Sequence, residues 1–348
     1  MTYFRSSITS MTGYVPGEQP HGSKLIKLNT NENPYPCSPK VLAAIGHAIR
    51  AGLQKYPDPL ATAFRQRAAE QLKVDPESIL CGNGSDDILT IITRALVDPG
   101  DVVRYPNPSY VLYQTLAEIQ GADCDVVNFE HDWSLGDKFT AANDRLRLAY
   151  LANPNSPSGT VLPPDDVARI ADALPCPLLV DEAYADFAET NCLELVEQND
   201  KIMVSRTLSK SYALAGLRFG FLVAQPQLIR EFAKAKDSYN CDSLAIAGAT
   251  AAIDDQSWFE QTRAAILATR IRLTDELSKL GFACIPSQAN FVWCRHSDQA
   301  AETLYQQLKT SGVLVRYMNY PQWEDGLRIT VGTDEQIDAI LAILAGLL

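Results

Sequence analysis

Between residues 78 and 223 the chain alternates short apolar runs with longer stretches of helical periodicity, and no other feature limits the fold as strongly. Ser78 to Cys81, Asp101 to Tyr105, Asp125 to Phe129, Leu146 to Leu151, Pro177 to Val180, Lys201 to Val204 and Phe219 to Val223 read as strands. A run that is apolar throughout, such as Pro177-Leu178-Leu179-Val180, needs cover on both faces. The expectation is therefore an α/β fold with a mostly parallel seven-stranded sheet and helices on either side. From Asp254 the pattern changes: a long helical stretch to Leu280, strands at Phe282 to Ile285 and Phe291 to Cys294, a helix from Ala300, then strands near Val313 to Arg316 and Leu327 to Val331. That is a smaller α+β unit. Residues 1–35 carry prolines, glycines and asparagines with little periodicity, which predicts an extended arm over the surface, able to reach a partner subunit. The expected organisation is arm 1–35, large domain 36–253 and small domain 254–348, and 348 residues suffice for two lobes with a cleft between them.

Composition removes several classes of function. A formal net charge of -12 leaves no basic face for nucleic acid or an anionic membrane. A small anionic substrate stays open, since a few local arginines can hold it. The eight cysteines include no CxxC pair and no neighbouring histidine cluster, so no metal site is expected. The four histidines are dispersed, and Asp165-Asp166 after two prolines simply starts a helix. With no apolar stretch near the roughly 18 residues of a membrane span and no leader-like start, a cytoplasmic protein is expected.

Three segments carry chemistry. Thr207-Leu208-Ser209-Lys210-Ser211-Tyr212, with Arg218 eight residues beyond the lysine, follows a strand. A lysine there has hydroxyls and a guanidinium beside it, fit to hold a phosphate next to a reactive amine; an isolated SxK would be a surface loop. Val180-Asp181-Glu182-Ala183-Tyr184 places an aspartate directly after an apolar strand, where burial needs a cationic partner. The protonated ring nitrogen of pyridoxal phosphate is such a partner, with Tyr184 near the ring's phenolic oxygen; the plain alternative is an N-capping aspartate. Gly82-Asn83-Gly84-Ser85-Asp86-Asp87 opens a helix after a strand and offers free N–H groups to a phosphate. It lacks the third glycine of a dinucleotide fingerprint and sets acids where a pyrophosphate would lie, so a monophosphate cradle fits better.

In this order the three segments resemble the fold-type I, aspartate-aminotransferase-like family of pyridoxal-phosphate enzymes over nearly the whole chain. Asn29-Thr30-Asn31-Glu32-Asn33-Pro34, Tyr56-Pro57-Asp58, Pro106-Asn107-Pro108-Ser109-Tyr110, Asn153-Pro154-Asn155-Ser156-Pro157-Ser158-Gly159 and Leu327-Arg328-Ile329-Thr330 extend the likeness. Tyr14-Val15-Pro16-Gly17 and the spacing from Arg316 to Arg328 narrow it to the histidinol-phosphate aminotransferases, in the class II subgroup. The resemblance implies pyridoxal 5'-phosphate on Lys210, with Asp181 at the ring nitrogen, Tyr184 at the phenolic oxygen and Tyr110 on the ring face. The phosphate would lie among Ser85, Asp86, Thr207, Ser209 and Arg218, with Tyr56 arriving from the second subunit of a homodimer whose sites are shared. Arg328 would clamp a carboxylate, Arg316 and Tyr14 would face a distal phosphate, and Asn33 would join the substrate site. The family usually has asparagine before the proline where this chain has Ser156, so Asn155 is expected to supply that contact to the cofactor. The implied reaction is amino transfer between L-histidinol phosphate and 2-oxoglutarate; an aromatic amino acid aminotransferase and a threonine-phosphate decarboxylase would use the same machinery.

Overall fold

The computed structural model describes residues 3–13, 17–18, 25–321 and 323–348. Its strands are β1 (Ile26–Lys27), β2 (Ile79–Gly82), β3 (Val102–Asn107), β4 (Asp123–Asn128), β5 (Leu146–Ala152), β6 (Leu178–Asp181), β7 (Ile202–Thr207), β8 (Gly220–Val223), β9 (Phe282–Cys284), β10 (Phe291–His296), β11 (Val313–Leu314), β12 (Arg316–Asn319) and β13 (Asp325–Thr330). The large sheet runs β2-β8-β7-β6-β5-β3-β4. Every pairing in it is parallel except those of β8, which is antiparallel to β2 and β7. Both faces are covered, as fully apolar strands require: along β6, Leu178 and Val180 pack into one core cluster and Leu179 into the other. Leu179 is fully buried, and cutting such a leucine to alanine costs about 2–5 kcal/mol.

Chain order reverses between β3 and β5: β4 lies outward of β3, while β6, β7 and β8 run outward from β5 on the other side. Crevices at the carboxyl ends of strands flanking such a reversal are where open α/β sheets take ligands. Here Ser109, after β3, donates to Asn155, after β5, at 2.8 Å.

The C-terminal part forms a four-stranded antiparallel sheet, β12-β13-β10-β9. The helices Gln256–Lys279, Ala301–Thr310 and Asp334–Leu347 contribute Ile266, Leu273, Leu304 and Ile340 to its core. Thr333 and Gln336 close a capping box on the last of them.

Two expectations change. The single strand at Val313 to Arg316 is two: β11 pairs parallel with β1, and β12 turns into a hairpin with β13. The segment 25–31 is no surface arm, because β1 adds an edge to β11 and the chain then runs inward. Leu28, Asn29 and Asn31 are buried, and Thr330 N donates to Leu28 O at 3.0 Å. Tyr14 lies outside the described residues.

Candidate active site

The carboxyl ends of β6 and β7, the hairpin β12–β13 and residues 29–32 enclose a cavity of about 270 Å³. Lys210, Asp181, Tyr184, Arg218, Arg316 and Arg328 are all on its wall. Lys210 Nζ donates to Thr30 O at 3.1 Å and stands 5.8 Å from the centre of the Tyr184 ring. Tyr184 packs edge-on against Phe291, and its hydroxyl accepts from Asn31 Nδ2 at 2.9 Å.

Asp181 ends β6 and is buried. The hydroxyls of Tyr113 (2.9 Å) and Ser205 (3.1 Å) each donate to one of its oxygens. Among the described residues no cation pairs with it, and burial pushes its carboxyl up to about 6 despite those donors. A buried carboxylate met only by two hydroxyls and the Ala183 backbone N–H fits a protonated ring nitrogen.

The helix Ser85–Leu96 points its first turn at the cavity, with N–H groups that have no intrahelical partner. Backbone approach here is close. A Cβ at Gly220 would stand 2.5 Å from Ser85 N, and one at Gly84, whose φ is +85°, 2.5 Å from Arg218 Nη2. Arg218 bonds Asp86 at 3.2 Å and Ser209 Oγ at 3.5 Å, while Thr207 Oγ1 donates to Ser209 Oγ at 3.0 Å. Tyr110 donates to the same Asp86 carboxylate at 3.1 Å and borders the cavity. An anion at the helix end would compete with Asp86 for Arg218. Cradle, lysine and cation-seeking aspartate share one cavity, so these residues fit the expected phosphorylated cofactor.

Opposite the cradle, Arg316 and Arg328 face each other across the β12–β13 register. Like charges directly opposite repel, and among the described residues neither meets a carboxylate. Arg328 donates to Ser156 Oγ at 2.8 Å and Asn29 O at 3.1 Å, lies over the Phe291 ring, and leaves its buried Nε without a partner. The pair is built to receive an anion.

Three sequence expectations need correcting or qualifying. Asn155 does not reach the cavity wall. Its amide donates to Pro108 O and Ser158 Oγ and its oxygen accepts from Ser109, so the loop uses it fully and Ser156 faces the cavity instead. Asn33 also turns away: it donates to Ser211 O at 2.9 Å and accepts from Tyr35 N, tying the segment after β1 to the lysine loop. Tyr56 is 81% exposed, stacked on Tyr239, and absent from this chain's cavity wall. Residues that sequence reasoning left without a role include Asn31, Tyr113 and Ser205. Asn31 stood in a quoted motif, and Ser205 precedes Thr207 by two on one strand, hence on one face. Tyr113 carried no local signal.

The model of the family "Aminotransferase class I and II" matches residues 23–344. The chain is 54% identical to a histidinol-phosphate aminotransferase of Rhodopirellula baltica, over 98% of this chain and 94% of that one. It is 47% identical to histidinol-phosphate aminotransferase 1 of a Nostoc species, over 99% and 98%. The crystal structure of histidinol-phosphate aminotransferase from Sinorhizobium meliloti in complex with pyridoxal-5'-phosphate superposes with a TM-score of 0.92 at 28% identity, over 100% of this chain and 99% of that one. On these grounds the chain belongs to the class I and II aminotransferases, and within them to the histidinol-phosphate aminotransferase family.

Proposed function

We propose that this protein moves the amino group of L-histidinol phosphate to 2-oxoglutarate, giving imidazole acetol phosphate and L-glutamate in histidine biosynthesis, with pyridoxal 5'-phosphate in the cavity. The observation that carries the substrate is the Arg316–Arg328 couple, which meets no carboxylate among the described residues and lines the same cavity as Lys210. When bound, the cofactor supplies an aldehyde for the amino group and a protonated ring that draws electrons from the substrate Cα. Asp181 keeps the ring nitrogen protonated, Tyr184 bonds the phenolic oxygen, and Tyr110 covers the ring and excludes water. The backbone N–H groups of Ser85 and Asp86, the hydroxyls of Thr207 and Ser209, and Arg218, released from the Asp86 carboxylate, would hold the phosphate. Lys210 Nζ anchors the cofactor and moves the proton at the substrate Cα. One substrate brings a carboxylate and the other a phosphate, so Arg328 serves the first and Arg316 the second, both from one hairpin.

Further parts of the proposal concern the molecule around the site. The large and small domains divide near residue 253, in keeping with one sheet confined to 79–223 and another to 282–330, and residues 26–28 join the small domain through β1, β11 and the core around Leu28. A homodimer places Tyr56 of one subunit at the partner's cradle; the outward position of Tyr56 supports this. All eight cysteines are free, in keeping with a reducing, cytoplasmic setting.

The test is the absorption spectrum of the purified protein, then addition of single amino donors. A visible cofactor band that is lost fastest with histidinol phosphate is expected. Arg316→Ala should raise KM for histidinol phosphate about tenfold or more while changing that for glutamate less than about threefold. Equal response to phenylalanine would favour an aromatic aminotransferase, and carbon dioxide release without keto acid consumption the decarboxylase. No band after reconstitution would remove the proposal altogether.

A further inference from the structure

Glu182 follows Asp181 directly, and its side chain is fully buried beneath the site. Arg206, on the adjacent β7, reaches it at 2.7 Å and donates through Nη1 to Asp186 at 2.8 Å. The second oxygen of Glu182 accepts the Cys192 N–H, and the second oxygen of Asp186 accepts the hydroxyl of Ser211. Arg263 donates to the Asp186 carbonyl, and Asn33 to that of Ser211.

Glu182, Arg206, Asp186 and Ser211 each lie within two residues of the site, and all but the partly exposed Asp186 are buried. Glu182 adjoins Asp181, and Arg206 lies between Ser205, which bonds Asp181, and Thr207 in the cradle. Asp186 comes two residues after Tyr184, and Ser211 follows Lys210. The lysine loop needs such a tether. Residues 209–213 belong to neither helix nor strand, and Ala213 sits in the left-handed region at φ +58°. Stability alone does not account for the charges, since well-packed apolar residues in place of a buried ion set are often neutral or stabilising. No step of amino transfer touches them.

We infer that Arg206, acting through Glu182 on one side and Asp186–Ser211 on the other, is a positioning residue that fixes Lys210 relative to Asp181. This rests on the reading of those two as holders of the cofactor. An unmoored lysine would still bond the cofactor but reach the substrate Cα less often, so turnover falls while substrate binding at the arginines is kept.

The experiment compares full-length wild type with Arg206→Met, Arg206→Lys and the triple variant Glu182→Gln/Arg206→Met/Asp186→Asn, which strands no charge. Expected in the triple variant are a thermal midpoint near wild type, kcat lower by about tenfold or more, and KM values within about threefold. The circular dichroism of the bound cofactor band should be altered, and Arg206→Lys should recover part of kcat. In cofactor-free protein, amide exchange across 207–213 should quicken by about tenfold. A folded triple variant with wild-type kcat, dichroism and exchange would overturn the inference. If that variant does not fold, Ser211→Ala decides: quicker exchange at 209–213 with reduced kcat supports the tether, and wild-type values for both overturn it. A wild-type protein that takes up no cofactor would instead refute the underlying reading, while the exchange comparison still reports on the tether.

Discussion

Asp181 concentrates the electrostatic cost of the site. Burial raises its carboxyl to about 6, and the Tyr113 and Ser205 hydroxyls only partly offset this. An unfolded aspartate titrates near about 3.9, so the fold favours the protonated form. That contribution to stability is complete below about pH 4 and is lost as pH rises through about 6. In cofactor-free protein at pH 8, the ionised carboxylate therefore costs up to about 3 kcal/mol. Asp181→Asn keeps the shape and removes the charge. Urea titration should find it more stable than wild type by up to that amount at pH 8, with the advantage gone near pH 4; an equal advantage at both would refute the account. The same variant should lose most of its amino transfer. Asp181 and Lys210 were legible in the sequence because their surroundings are local: an acid ending an apolar strand, a lysine among hydroxyls. Asn31 and Tyr113 were not, because the groups they touch lie 153 and 68 residues away. Asn155 misled for a related reason, since its partner Ser109 is 46 residues off and nothing nearby in sequence shows the amide to be engaged.

The decisive contact between elements is the seat of the helix Ser85–Leu96 on β8, where Gly220 leaves room for Ser85 N. Gly220→Ala would push a Cβ into backbone atoms that cannot swing aside. Overpacking of this kind costs about 1–3 kcal/mol, and the displaced helix end should bind the cofactor phosphate about tenfold more weakly. Gly216→Ala, where a Cβ meets nothing within 4 Å, is the control that should leave cofactor titration unchanged. Equal effects of the two substitutions would refute the close-approach argument. The inner strands of the large sheet were readable because a strand buried on both faces is largely apolar, as in β6; the partly exposed edge strand β4 was readable only through Val126 and Val127. In the hairpin β12–β13 only the second strand was readable, through its run from Leu327. Its strands mix Arg316, Asn319, Asp325 and Arg328 with apolar residues, because one face of it serves a polar cavity. The pairing of β1 with β11 was hidden too, since two residues a strand are too few to show a period.

At the scale of the molecule, one stretch of the surface is apolar on a chain of strong net negative charge. Leu42, Ile49, Leu53, Tyr56 and Leu60 are exposed within one stretch, and Tyr56 and Tyr239 stack face to face at 4.5 Å beside them. Five large apolar side chains so close together in a chain of net charge -12 fit a face that a second copy covers. If Tyr56 completes the partner's cradle, two crippled proteins should repair each other. Lys210→Ala lacks the amine but offers an intact Tyr56, and Tyr56→Ala offers the amine without its phosphate partner. A hybrid dimer then has one site with both residues and one with neither. Equal amounts unfolded and refolded together give hybrids as half of all dimers, so activity per chain should recover to about a quarter of wild type. If Tyr56 served its own chain's site, or none, mixing would change no site, and activity would stay at the mean of the two parents.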